Sequence, residues 1–557
     1  MDRLPQEITA NIISQFAGDG RNHGCNHGCK DGCNYGNDDG SDDRPALAPY
    51  ATVSRAWQQR IEAITFAHIT LNPARLASPL TAQALTPDRV RRFVHSIYVD
   101  VILPPYDEEA RGRVEDDAER AGNDAAFTDA VRKVFALLST PASASAVPRD
   151  ANNNDYGGDS GYRPRILLSL GARCVSDVED LEARKYRCSV LMFDRAKDIF
   201  ELRYESSYLD LRLAEALPKL NCISQFYVKA RRAHRTFAPR ALCLIASRIS
   251  SLESINWELF DNEKRDAALR KKLRADFANA LQILPSTLQN FNLSYERREP
   301  SDHSFQTPSL LDEADQDNND KLSLALHKLS HRLTSFHLEA SVGPEVLWPL
   351  EHRELDKQQQ KGDDSSDSNR PLLWPNMQQY SIDPGAIAPS GEWRYMRRPD
   401  ATEYSEEDGD SYVSETIPVP GDEKNDYFRD KLDQDAAMSL LLAAARAAGR
   451  MPMLHSMFFV LHPPTPDNDT LYVFYDVNRS ECLARGGRIG PAKLKIETYP
   501  VFVPDEEVME AWRAAAKEHT GAESGLEVKI IDIMEWKMSV LRASEAQALI
   551  PGRTLTP

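Results

Sequence analysis

The chain has 557 residues, enough for several domains or for one extended repeat array. Its 67 basic residues stand against 85 acidic ones, a net charge of −18, which argues against general binding to phosphate backbones and predicts no nucleic-acid partner. No run of about eighteen apolar residues occurs, so no membrane span is expected. The start, Met1 to Pro5, lacks the basic and apolar segments of a secretory signal. Eight cysteines do not make a disulfide scaffold, and the five scattered ones, Cys174, Cys188, Cys222, Cys243 and Cys482, read as reduced thiols in a cytoplasmic or nuclear protein.

The first predicted elements are two short amphipathic helices. Leu4, Pro5, Glu7 and Ile8 lead into Ile12, Ile13 and Phe16, with Ile8, Ile12 and Phe16 on one helical face. Pro5 suits a first turn, where its missing N–H costs nothing. Val53, Trp57 and Ile61 repeat the spacing in a second segment that begins Val53-Ser54-Arg55. Removing residues 18–44 joins the two segments into a compact unit spanning 1–71.

The excised insert is a drifting tetrapeptide repeat, Asn-His-Gly-Cys in its first copies, that spaces Cys25, Cys29 and Cys33 four apart. Thiolates and the interleaved His23 and His27 are zinc-ligand types. Glycine in every copy denies the loop a preformed geometry, so the reading is an expanded disordered loop with no metal. No cofactor is expected.

The Leu4-Pro5, Glu7-Ile8 and Val53-Ser54-Arg55 plus Trp57 residues resemble an F-box. The resemblance implies docking on the Skp-type linker subunit of a cullin-based SCF ubiquitin ligase. It would assign the linker contact to Leu4, Pro5, Ile8, Ile12, Val53 and Trp57.

From 88 to 480 one pattern recurs: apolar, two of any kind, apolar, one of any kind, apolar. Its copies are Val94/Ile97/Val99, Leu252/Ile255/Trp257, Leu288/Phe291/Leu293, Leu333/Phe336/Leu338, Met377/Tyr380/Ile382 and Leu454/Met457/Phe459. A weaker copy has Leu220 and Ile223 with Gln225 in third place. The last two apolar positions alternate as in a half-buried strand. Amphipathic helices precede several copies, for example Phe277, Leu281 and Leu284 before Leu288. One helix and one strand per unit predict an α/β fold, an irregular leucine-rich-repeat-like solenoid behind the N-terminal helical module. The anchors at 220, 252, 288, 333, 377 and 454 are spaced unevenly, so the array is degenerate.

Polar tracts at 141–162, 299–320, 354–371 and 399–425 are expected to project as loops. The cations Lys229, Arg231, Arg232 and Arg235 read as a solvated surface. Trp348, Trp374 and Trp393 sit beside turn formers and read as packing at strand ends. With the N-terminal motif, this Trp-Pro and Gly-Glu-Trp pattern is similar to a group of fungal F-box-type proteins. The segment 490–540 is expected to cap the array. It offers a strand at Leu494 and Ile496, a helix with Val508, Met509, Trp512 and Ala516 on one side, and a strand from Leu526 to Ile533.

No catalytic arrangement stands out, and the chain is not expected to be an enzyme. Gly486-Gly487-Arg488-Ile489-Gly490 lacks the spacing of a dinucleotide loop. His327 and His331 share a helix face, but Lys328 follows His327 where a zinc helix needs Glu, so both read as surface residues. The resemblance makes the chain a substrate-recognition adaptor of an SCF-type ligase, with an unknown target protein on the array. The alternative is a protein-interaction scaffold without ligase association.

Overall fold

The structure, a computed structural model, describes residues 52–111, 113–139, 166–177, 203–204, 206–212, 217–229, 235–261, 263–312, 319–349, 373–397, 419–424, 426–464, 470–477, 490–499, 501–521 and 525–532. Leu4, Pro5, Ile8, Ile12, Cys25, Cys29 and Cys33 lie outside these residues, as do the tracts 141–162 and 354–371.

The described chain is a mixed α/β fold built on one large, mostly parallel sheet of twelve strands. The strands are β1 (His68–Leu71), β2 (Ser96–Leu103), β3 (Ile166–Cys174), β4 (Ile223–Lys229), β5 (Ser254–Phe260), β6 (Asn290–Glu296), β7 (Ser335–Ala340), β8 (Gln379–Asp383), β9 (Ser456–Leu461), β10 (Leu471–Asp476), β11 (Ala492–Thr498) and β12 (Leu526–Asp532). Their order across the sheet is their order in the chain. Pairing is parallel from β1 to β9, antiparallel on both sides of β10, and parallel again between β11 and β12.

Helices precede or connect the parallel strands. The main ones are α1 (Arg55–Thr65), α2 (Asp117–Leu138), α3 (Pro239–Ala246), α4 (Ala267–Leu281), α5 (Lys321–Ser330), α6 (Gln434–Ala448) and α7 (Glu506–Thr520). Five of them begin at an aspartate whose carboxylate accepts a first-turn N–H: Asp116, Asp266, Asp320, Asp433 and Asp505. Crossovers between parallel strands keep one hand, so strands added always on the same side place their helices on the same face. Successive helices accordingly touch: α3 on α4, α4 on α5, and α6 on α7.

The recurring pattern explains the core. Its middle positions stand in register as a row across the sheet, Ile255, Phe291, Phe336, Tyr380 and Met457. Its last positions form the next row, Trp257, Leu293, Leu338, Ile382 and Phe459. All are buried, as are the leading Leu252, Leu288, Leu333, Met377 and Leu454. The Trp257 ring meets Phe226 and Phe291 edge-on at 5.7 and 6.1 Å. Each fully buried side chain of this kind contributes about 1.5–3 kcal/mol. The irregular copy has a local cause. The register shifts beside β4, so the buried Ser224 is an extra residue and Phe226 and Val228 continue the rows in place of Gln225.

A backbone joint repeats with the pattern. The Glu253 carbonyl accepts N–H bonds from Gln289 and Asn290 at 2.9 and 3.0 Å. Gln289 O accepts from Thr334 and Ser335, Thr334 O from Gln378 and Gln379, and Gln378 O from His455 and Ser456.

Several sequence expectations change. Residues 299–312, expected to project as a loop, pack instead against 384–397, 419–424 and 426–432. His303 is wholly buried there, and its Nδ1 accepts the Phe428 and Arg429 N–H groups at 2.9 and 2.8 Å. Asp302, Thr307 and His303 find backbone partners in the adjoining segments, which lets a polar tract go inside. Arg235, read as solvated, is buried in an ion pair with Glu115. His327, read as surface, is buried, with Nδ1 3.1 Å from Val346 O and Nε2 3.0 Å from the Nε2 of His331. Trp348 and Trp374 are buried as expected, Trp374 Nε1 donating to Ser330 Oγ at 2.7 Å. The segment after 490 supplies the last two strands at one end of the sheet, joined to the array through the unforeseen strand β10.

Buried ions tie three units together. Arg270 binds Asp261 through two nitrogens, at 2.9 and 2.6 Å. Arg274 reaches Asp261 at 2.9 Å, Asp320 at 3.0 Å and the Ser341 carbonyl at 2.9 Å. Burial pushes the Asp261 carboxyl up, but Arg270 and Arg274 outweigh it and hold it below the usual range. Arg274→Ala leaves Asp261 and Asp320 short of a buried partner and is expected to cost about 3–5 kcal/mol in urea unfolding. Because the Asp261 pKa is depressed on folding, its contribution is present above about pH 4 and lost as pH falls further, so the wild type should lose stability to acid more steeply than Arg274→Ala.

Candidate functional site

Along β5 to β8 only one parity of each strand is buried. The other parity carries mainly polar residues, Phe260 at the end of β5 excepted, that are partly open to solvent. The helices thus leave the other face of these strands partly open to solvent.

Its middle row passes one residue per strand in register: Tyr98, Ser169, Tyr227, Asn256, Asn292, His337, Ser381, Phe458, Phe474 and Lys495. Amides, hydroxyls and the His337 imidazole fill the centre, with Tyr98 at one end and Phe458 and Phe474 before Lys495 at the other. At the Tyr98 end, the Tyr98 ring lies over Gly171, so a side chain there would make the exposed ring move aside. Asp100 on the same face is gripped by Arg173, whose Nη2 lies 3.0 Å from Oδ2.

The next row is charged: Lys229, Glu258, Ser294, Glu339 and Asp383 stand in register. Ser294 Oγ lies 2.9 Å from a Glu339 oxygen and 3.1 Å from a Glu296 oxygen. Asp383 Oδ1 accepts the Gly385 N–H at 2.9 Å, and His462 Nε2 lies 3.7 Å from Oδ2. Burial pushes the Asp383 carboxyl up to about 6, against the pull of the Gly385 N–H and of His462, with Glu339 adding to the rise.

An aromatic cluster sits beside Asp383. Phe458 and Phe474 pack with ring centres 4.8 Å apart, Tyr472 stacks near both, and Lys495 Nζ lies 5.5 Å above the Phe474 ring. These rings are only partly covered, with Phe474 37% exposed. Partly exposed aromatic groups bordered by charge are the usual anchors of protein contacts. The cluster comes from the antiparallel pair β9–β10, whose outward positions are Phe458, Tyr472 and Phe474. Its sequence signal is the alternation in Leu471-Tyr472-Val473-Phe474-Tyr475, which the helix-plus-strand pattern does not include.

Of the residues predicted to make or support the linker contact, Val53 and Trp57 are described. Val53 is 47% exposed and precedes the Ser54 cap of α1. Trp57 and Ile61 are buried on the side of α1 that meets the helix Pro87–Phe93. Glu62 joins the two helices by a 3.0 Å ion pair with Arg89. Trp57 thus serves packing within this chain.

Asp383→Asn retains an acceptor for the Gly385 N–H and removes the charge. Since the folded pKa is raised above the unfolded value of about 4, wild-type stability should rise as pH falls from about 7 to about 4. The variant should lose that rise and be more stable than wild type above about pH 7, as read from urea midpoints across pH.

Residues 426–545 match a family model described as a family of unknown function, DUF6546. The match contains α6, α7, β9 to β12 and with them the whole aromatic cluster. No curated protein matches the chain.

Proposed function

We propose that this chain is a non-catalytic recognition subunit that holds a protein partner on the uncovered face of its sheet. The observation that carries the reading is that face: polar rows in register, an acidic row beside them and a partly exposed aromatic cluster at one end. The strand order and the one-sided helices support treating the fold as a degenerate leucine-rich-repeat-like solenoid. In such an array each unit exposes apolar surface that only its neighbours cover, which leaves the outer strand face free for binding.

The F-box-like residues give this platform its use. Leu4, Pro5, Ile8 and Ile12, with Val53 and the Trp57 helix, would attach it to the Skp-type linker and cullin core of an SCF-type ligase in the cytoplasm or nucleus. The mechanism is proximity. The adaptor raises the effective concentration of a target lysine near the conjugating enzyme, and this chain breaks no bond.

A scaffold without ligase association is the second reading. It is favoured by one observation: Trp57, assigned to the linker contact, is turned into this chain's own packing.

A pull-down separates the two. The wild type is expected to capture the linker subunit, and Leu4→Ala/Pro5→Ala to lose about tenfold or more of it. Equal, negligible capture by both would leave the scaffold. Phe458→Ala/Phe474→Ala should retain the linker while losing the target, because the cluster lies on the strand face.

A further inference from the structure

A groove of about 410 Å³ opens where the chain approaches β6, β7 and β8. It lies at the N-terminal ends of these strands, beside the backbone joints, and is not part of the face described above. Thr287, Gln289, Arg332, Thr334, Asn376 and Gln378 line it. It contains one charge, the Arg332 guanidinium, and no carboxylate.

Arg332 is held in place and left without a counter-ion among the described residues. Its Nη2 donates to the Leu284 carbonyl at 3.0 Å, which fixes the fork and leaves other N–H groups to bond elsewhere. Partial burial lowers its pKa, and no neighbouring carboxylate opposes that effect. The joints engage the backbone carbonyls of Gln289, Thr334 and Gln378. The joints are made by main chain, and Gln289, Thr334 and Gln378 also line the groove, while Thr287 Oγ1 donates to the Leu252 carbonyl at 2.7 Å.

We propose that this groove binds a small hydroxylated molecule carrying a single phosphate, of the sugar-phosphate class. A single fixed guanidinium matches a single anionic group, and its planar fork suits phosphate oxygens. Carboxamides and hydroxyls both donate and accept, as a ring of hydroxyls requires. The volume is that of a small-ligand site. The groove spans three successive units, so a ligand there would bridge them.

The test is calorimetry on the full chain with glucose 6-phosphate, inorganic phosphate, glucose and an acidic peptide. Saturable binding of glucose 6-phosphate is expected, with phosphate weaker and glucose undetected. Arg332→Gln should weaken the sugar phosphate about tenfold or more, Arg332→Lys less, and Asn376→Ala should weaken it while sparing inorganic phosphate. Thermal unfolding without ligand controls for folding, and Arg332→Lys and Asn376→Ala carry the test if Arg332→Gln does not fold. Absence of saturable binding, equal binding by wild type and Arg332→Gln, or Arg332-dependent binding of the acidic peptide in place of the sugar phosphate would each overturn the proposal.

Discussion

The fold depends on one repeated contact, a carbonyl at the foot of each of β5, β6, β7 and β8 that accepts two N–H groups from the next strand. Glu253, Gln289, Thr334 and Gln378 each make it. The contact fixes register before any side chain is considered. A slip of one residue would turn every apolar position of a strand to the open face, so a fixed register is what keeps the apolar rows behind the sheet. The helices then need cover only one side.

That one-sidedness has a cost and a use. Parallel sheets usually bury both faces, and here the exposed parity must be polar enough to meet water. Asn256, Asn292, His337 and Ser381 meet that need in the centre. Departures from polarity are concentrated at Phe458, Tyr472 and Phe474, where the strand direction reverses. The chemistry of the face thus changes at the place where the chain stops adding parallel units.

Charge inside the molecule follows the same logic of neighbours. Arg270 and Arg274 on α4 answer Asp261 at the end of β5 and Asp320 at the start of α5. A buried ion set of this kind is a weak source of net stability but fixes how units meet. Arg235 and Glu115 make a similar contact between segments far apart in the chain. None of these pairs has a sequence periodicity, which is why Arg235 reads as a surface cation until its partner is seen.

The sequence alone determined the rows that form the core. Ile255, Phe291, Phe336, Tyr380 and their companions are spaced by the two-residue period of a strand, a local property that neighbours need not supply. The aspartate caps and the C-terminal helix around Trp512 are local in the same sense. Only tertiary structure decided the strand order, the shift at Ser224, the burial of His303 and His327, and the grouping of Arg332 with amides more than forty positions away. Each of these arises from contacts between segments distant in the chain, where a polar residue becomes buried or exposed according to the partners it meets.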